Sequence, residues 1–385
     1  MRAVALIDGE HSPDVVREAL RDLPYEWVGA ILIGGTEKLR EGTGLGVSLY
    51  GVPLLDGFAG AESVVDLSDE PVMRPDDRFH WASRALAAGL AYHGADFRFD
   101  PPVYEPFERP AVAVIGTGKR VGKTALSAHL ARLLSRSRDV VVVTMGRGGP
   151  PMPELIEAPP DVAALVALSR SGRHAASDHL EIAAVTRLTT IGCRRAGGGL
   201  AGRPFVSNVV EGARLAAARN PDVVVFDGSG TAIPPVATAH RVLVVGAGAD
   251  LDAGFGLYRR LVSDLVVAVG RDLAGAIRAD LRLRPLDELT GRVAVFTAGP
   301  GETSHLEADV VHVSRSLGDR DTLRRELPAV EADTYLTELK GAAIELVAED
   351  ALARGRRVVL AANDVVGDGL DEALLALVPE AVAAG

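Results

Sequence analysis

The sequence predicts an α/β protein: an N-terminal α/β domain over residues 1–105, then a nucleotide-binding, doubly wound parallel-sheet domain with a C-terminal α/β extension over 106–385. Three observations predict it. Short, continuously apolar runs alternate with helix-length stretches along the chain, the pattern of buried parallel strands between helices. A proline cluster, FDPPVYEPFERP at 99–110, interrupts that alternation and marks a linker. Directly after it, a strand-like run passes through a glycine-bearing loop into a helix-like run.

Taken in order, AVALIDGE stops on Asp8, VGAILIGGTEK on a glycine pair, and SVVDLSDEP on acids and a proline, as strands ending in loops do. SPDVVREALRDL between the first two reads as a helix. DDRFHWASRALAAGLAYHGADF also reads as one helix, with Phe79, Ser83, Leu86 and Leu90 near one face. Beyond the linker, AVAVIG is a strand and ALSAHLARLL a helix with Leu126, Leu130 and Leu133 on one stripe. DVVVVTMG, PDVVVFDG, RVLVVGAG, DLVVAVG, RVAVFTAG, ADVVHVS and RRVVLAAND supply further buried strands at helix-length spacing. Aromatic residues are only 4%, so the core is mainly aliphatic.

Composition narrows the function classes. With 48% hydrophobic and 24% charged residues, the chain is of soluble globular type and not disordered. A net charge of −11 argues against sequence-nonspecific nucleic-acid binding, which needs a basic footprint. The single Cys193 excludes an intramolecular disulfide and fits a reducing compartment. It reads as a small packed hydrophobe, not a catalytic thiol. The N-terminal apolar run is too short for a signal core, and no uncharged stretch approaches the roughly 20 apolar residues of a membrane helix. The expectation is a cytoplasmic protein that meets neither membrane nor nucleic acid.

VIGTGKRVGKTALSAHL, residues 114–130, carries the chemistry. A strand, a glycine turn and a helix place successive backbone N–H groups around an anion. Lys123 would reach the outer phosphates of a nucleotide and the Thr124 hydroxyl would ligate Mg²⁺. The strict pattern G-x-x-x-x-G-K-[ST] wants glycine at 117, yet the residue is Thr117, with Gly116 and Gly118 on either side framing the turn. That spacing is similar to the loop of dethiobiotin synthetase and its P-loop relatives. Lys119 and Arg120 add two cations to Lys123 within five residues. Three more stretches ask for an anion or a metal. In TMGRGGPPMPE, Arg147 sits among Gly146, Gly148 and Gly149. In SGRHAASDHLEIAAVTRLTTIGCRRAGGGLAG, Arg194 and Arg195 precede Gly197, Gly198 and Gly199. His174, Asp178 and His179 in that stretch match no strong zinc spacing. VVVFDGSGTAIPPV has the form of an apolar strand ending in an acid, Asp227, placed to hold Mg²⁺ or activate an attacking group.

These segments together resemble the cyclic 2,3-diphosphoglycerate synthetase family. The resemblance rests on LIDGEH (6–11), IGGTEKL (33–39), DLSDEPV (66–72), GADFRF (94–99), GTGKRVGKT (116–124), MGRGGP (145–150), GRHAASDH (172–179), GCRRAGGG (192–199), GSGTAIPPV (228–236) and ADTYLTELK (332–340). Two features depart from it: Asp227 stands where the pattern favours Glu, and the Arg/Ala/Gly-rich composition differs from the Lys-rich archaeal members. The resemblance implies an ATP-dependent ligase that closes 2,3-diphosphoglycerate into a cyclic phosphoanhydride, with Mg²⁺, K⁺ as a second candidate ion, and a homodimer as the assembly. In that reading Lys119, Lys123, Asp227 and Arg147 are catalytic. Gly118, Lys119, Arg120, Val121, Gly122, Lys123, Thr124 and Ala125 hold the nucleotide, and Thr124 and Asp227 hold the metal. Arg147, His174, Arg194, Arg195 and Gly198 bind the substrate. A dethiobiotin-synthetase-like ligase or kinase acting on another small acid, and a nucleotide-switched binding or maturation factor, are the alternatives. The acids Asp8, Glu10, Glu37, Asp66, Asp69 and Glu70 stay open between contacts to glycerate or magnesium and solvated loop ends. His11, Lys38 and Arg98 are alternative anion contacts there.

Overall fold

The computed structural model describes residues 1–35, 37–38, 47–299 and 302–378, so Thr36 and Leu39 of the IGGTEKL stretch lie outside the described residues. The chain divides into two compact units. One holds the described residues of Met1–Val103 together with Asp250–Val262, and the other runs over Tyr104–Ala249 and from Ser263 onward.

The first unit is a five-stranded sheet in the order β2-β1-β3-β4-β5. Its strands are β1 (Arg2–Ile7), β2 (Glu26–Leu32), β3 (Ser63–Asp66), β4 (Ala91–His93) and β5 (Arg98–Phe99), and only β5 is antiparallel to its neighbour. Helices α1 (Pro13–Asp22), α2 (Val47–Tyr50) and α3 (Pro75–Ala87) belong to it. The stretch from Asp76 to Phe97 is not one helix: Gly89 takes a φ of 77°, and AYH continues as β4. Residues 250–262 bring a short helix, Gly256–Leu261, into this unit, where Phe255 meets the Phe79 and Phe99 rings edge-on at 5.3 and 5.1 Å.

Two of the N-terminal acids are structural caps. Asp8 is fully buried, and its Oδ1 accepts from Glu10 N, His11 N and His11 Nδ1 while Oδ2 accepts from Asp69 N at 2.8 Å. Burial opposes its charge, yet these hydrogen bonds prevail and hold it below the usual carboxylate range. Asp66 accepts from Ser68 N, Arg78 Nε and Tyr92 Oη at 2.9, 3.0 and 2.7 Å. Carboxylates already filled by such donors tie loops to the sheet.

The second unit holds a 13-stranded sheet. Its first set comprises β6 (Ala111–Gly116), β7 (Val140–Gly146), β8 (Glu154–Ile156), β9 (Thr190–Ala196), β10 (Val206–Ser207), β11 (Val223–Asp227), β12 (His240–Val245) and β13 (Leu265–Val269). The chain continues through β14 (Ile277–Pro285) to β15 (Arg292–Phe296), β16 (Asp309–Ser314), β17 (Thr334–Glu338) and β18 (Arg357–Val366). The order is β10-β9-β7-β11-β6-β12-β13-β14-β18-β17-β15-β16, with β8 beside β9. Helices α4 (Lys123–Leu134), α5 (Val162–Arg170), α6 (Asp178–Thr186) and α7 (Val209–Ala218) connect the first set. Leu126, Leu130 and Leu133 of α4 are buried in one cluster with Val112, Val114, Val142 and Val225 of the strands beneath. Burying each such side chain contributes roughly 1.5–3 kcal/mol.

Strands β9-β7-β11-β6-β12-β13-β14 run parallel, as do β18-β17-β15-β16, and the two sets join through the antiparallel pair β14–β18. The register of β14 explains the junction. Its first residues, Ile277–Ala279, pair with the end of β13, whereas Asp280–Pro285 pair with β18. The C-terminal set therefore runs back toward the first, and the carboxyl ends of both sets converge. Ligands in open α/β sheets bind outside the carboxyl ends of strands, so this unit doubles the usual site wall.

Candidate active site

A cavity of about 360 Å³ occupies this convergence, and all its lining residues belong to the second unit. That size falls at the lower end of small-molecule sites. One wall is the loop between β6 and α4, lined by Lys119 through Ala125. Gly122 enters α4 at a φ of 96°, a conformation only glycine adopts freely, and Lys123 opens the helix. The closest approach is at Gly116, where a Cβ would lie 2.6 Å from Lys123 Cδ. Gly118 has nothing nearer than Val121 Cγ1 at 3.8 Å, so the glycines that govern the turn are Gly116 and Gly122, not Gly116 and Gly118. Gly118 contributes a carbonyl, which accepts from Lys123 Nζ at 2.6 Å.

Beneath the loop, Asp227 ends β11 and is 1% exposed. Its carboxylate accepts from Ser127 Oγ at 2.8 Å and Thr124 Oγ1 at 3.4 Å. Burial and the charge of Asp178 push Asp227 up to about 7, against the pull of Ser127, Lys123 and Thr124. Lys123 is lowered by its own burial, with Asp227 and Asp178 opposing. The Thr124 hydroxyl and the Asp227 carboxylate make a pair of hard oxygen donors, a donor set that fits Mg²⁺. The backbone loop around the Lys123 ammonium fits a polyphosphate.

Arg147, in the loop after β7, lies against Gly230, with His174 beside Gly148. Among the described residues no hydrogen bond or salt bridge engages the side chains of Lys119, Arg120 or Arg147, although all three line the cavity. The Arg120 guanidinium lies against Gly318 on the opposite wall. Cations held at a concave surface without a salt-bridge partner favour an anion there.

The remaining substrate candidates separate. Arg194 and Arg195 are consecutive on β9, so their side chains leave opposite faces of the sheet. Arg195 donates to Ser229 O at 2.8 Å and to Gly197 O at 2.9 Å, and so reaches the rim through Ser229; Gly198 packs against it. Arg194 is exposed and does not line the cavity. Both arginines were expected to bind the substrate; strand geometry separates them, and Arg195 but not Arg194 reaches the rim.

Several lining residues carry no sequence expectation as site groups. Asp178 opens α6 and faces the loop lysine, and burial raises its carboxyl above the usual range. On the C-terminal wall, Glu338 ends β17 at 2% exposure and accepts from Thr297 Oγ1 at 2.6 Å, Ala298 N, Asn363 Nδ2 and Lys340 Nζ at 3.1 Å. Burial alone would raise Glu338, but Lys340 and these donors hold it at about 2. Glu181 of α6 stands 3.4 Å from Lys340 Nζ. The sequence signal available was the ADTYLTELK stretch, which shares no spacing with the phosphate loop.

Among the described residues no helix is long and apolar enough to cross a membrane.

Comparison with known proteins bears on all of this. Three family profiles match in succession: "Cyclic 2,3-diphosphoglycerate synthetase, N-terminal domain" over residues 2–100, "Cyclic 2,3-diphosphoglycerate synthetase, P-loop domain" over 111–277, and "Cyclic 2,3-diphosphoglycerate synthetase C-terminal domain" over 285–364. The cyclic 2,3-diphosphoglycerate synthetase of Rubrobacter xylanophilus is 46% identical, with 98% of this chain and 97% of that one aligned. The Thermococcus onnurineus protein of the same name is 41% identical over 96% of both chains, and that of Methanothermobacter thermautotrophicus 36% over 99% and 96%. Among solved structures, LpxK from Aquifex aeolicus in complex with ATP aligns at a TM-score of 0.44 and 13% identity, covering 71% of this chain and 90% of that one. The three domain matches and the near-full-length identity to these relatives establish that the chain belongs to the cyclic 2,3-diphosphoglycerate synthetase family.

Proposed function

We propose that this protein is an ATP-dependent ligase that converts 2,3-diphosphoglycerate and ATP into cyclic 2,3-diphosphoglycerate, ADP and phosphate. The observation that carries the reading is the set of cations without salt bridges, Lys119, Arg120 and Arg147, around the same cavity as Lys123. Two like charges 4–5 Å apart at an effective dielectric near 20 repel by roughly 3–4 kcal/mol per unit pair. A triphosphate beside a bisphosphorylated acid brings several such pairs, so a site that joins them needs cations beyond those a nucleotide requires.

Lys123 and the loop backbone orient the terminal phosphoryl group, which passes to an oxygen of one substrate phosphate as its bond to ADP breaks. Arg147, with Arg195 behind it, holds the acceptor phosphates together. An oxygen of the neighbouring phosphate then attacks the substrate-bound phosphorus, and the added group leaves as phosphate. Both acceptors sit on one small molecule, so closure gains from enforced proximity. Thr124 and Asp227 would hold Mg²⁺, which would supply neutralisation of phosphate charge. K⁺ is tested by comparing rates in potassium and sodium salts. Exposed Phe205 and Leu200 near the edge strand β10 support a homodimer, which light scattering would check, and the buried thiol of Cys193 agrees with a cytoplasmic setting.

Incubation with ATP and 2,3-diphosphoglycerate, followed by phosphorus NMR, should show a cyclic anhydride signal alongside ADP and phosphate. Phosphate release that needs a different acid would favour a dethiobiotin-synthetase-like ligase or kinase. Slow hydrolysis indifferent to any acid would favour a nucleotide switch. Lys123→Ala should cost at least about a hundredfold in turnover while the circular dichroism spectrum is kept.

A further inference from the structure

The C-terminal wall holds a cation of a different kind from those of the loop wall. Lys340 is flanked by two carboxylates, with Nζ 3.1 Å from Glu338 Oε1 and 3.4 Å from Glu181 Oε1. An ammonium has three N–H donors, so a third remains for the cavity that Lys340 lines. Glu338 cannot turn away to meet a ligand, because Thr297, Ala298 and Asn363 fix both of its oxygens. It serves to hold Lys340 in place.

We propose that Lys340 binds the carboxylate of the three-carbon acid, so that the cavity sorts the substrate's ends: carboxylate to the C-terminal wall, phosphates to the loop wall. This rests on the ligase reading above. Charge favours that orientation. The loop wall offers Lys119, Arg120, Lys123 and Arg147 against the carboxyl of Asp178, and so keeps a surplus of positive charge. The C-terminal wall offers one ammonium beside two acids, which repels a phosphate dianion more strongly than a singly charged carboxylate. Glu181 eases the fit. Burial raises its carboxyl to about 7, Lys340 pulling it down and Glu338 and Asp178 adding to the rise. It therefore takes a proton readily when another anion arrives, and then donates a hydrogen bond to it.

The test compares wild type with Lys340→Met on two ligands. One is 2,3-diphosphoglycerate. The other is glycerol 1,2-bisphosphate, which keeps both phosphates and replaces the carboxylate with a hydroxymethyl group, read as a competitive inhibitor. Lys340→Met should raise KM for diphosphoglycerate about 30-fold and leave KM for ATP and the inhibition constant of the analogue within about twofold. Lys340→Arg should restore most of the loss, and Lys340→Gln replaces the methionine variant if that one does not fold. An unchanged KM for diphosphoglycerate would overturn the assignment. So would an equal weakening of substrate and analogue by the variant, or an analogue that binds the wild type as tightly as diphosphoglycerate does. Absence of cyclic product from the wild type would instead sink the ligase reading and is distinguished by that control.

Discussion

Thr117 stands where the strict phosphate-loop pattern has glycine, and its bonds account for the exchange. Its N–H and hydroxyl donate to Val244 O at 3.1 and 3.4 Å, and Gly246 N donates back to Oγ1 at 3.3 Å. The side chain stitches the loop to the end of β12, a job glycine cannot do. Single residues on the other wall make a second point. Glu338 has a folded pKa near 2 against an ordinary 4.5, so its stabilisation is fully present above about 4.5 and is lost as pH falls toward 2. Glu338→Gln should therefore cost about 3 kcal/mol at pH 7, and the gap to wild type should shrink markedly by pH 3. Denaturant titrations at the two pH values check this; a gap that does not depend on pH would refute it. The places of Lys123, Thr124, Asp227 and Arg147 were legible in the sequence because each lies close to glycine at or just beyond a strand end or helix start. Lys340, Glu338 and Glu181 were not, since their roles depend on elements distant in sequence meeting at one cavity.

Among elements, the loop between β6 and α4 shows how far local pattern carries. Its strand–turn–helix order is readable, but which glycine matters depends on packing. Gly116→Ala would push a methyl into Lys123 Cδ and Cγ, at 2.6 and 2.8 Å, and should weaken binding of a non-hydrolysable ATP analogue roughly tenfold. Gly118→Ala meets only Val121 Cγ1, at an ordinary contact distance of 3.8 Å, and should leave that binding unchanged. Calorimetric titration of both variants separates them; equal losses would contradict the packing argument. Strands β9 and β17 escaped the sequence reading for different reasons. TIGCRRA turns charged halfway along, so only its first residues look buried, and TYLTE carries polar residues that face buried partners. AYH was absorbed into the preceding helix because apolar periodicity cannot locate a break that depends on Gly89.

For the whole molecule, the alternation of strands and helices gave the α/β class plainly, whereas the association of residues 250–262 with the first unit is invisible to composition. Phe255, 3% exposed, is the anchor of that segment. Phe255→Ala should destabilise the first unit by about 3–4 kcal/mol. Both tryptophans, Trp27 and Trp81, lie in that unit, so tryptophan fluorescence follows it alone. The fluorescence midpoint should drop while nucleotide binding by the second unit persists; loss of both together would show that the two unfold as one. The antiparallel β14–β18 pairing has its own consequence for the order in which the enzyme is made. The phosphate loop and Asp227 leave the ribosome well before Glu338, Lys340 and Asn363. A growing or prematurely ended chain can thus assemble the surface that grips nucleotide long before it has the wall that faces it. Until the last strand returns alongside β14, that surface stays open to water, and bound nucleotide has no enclosed acceptor to meet.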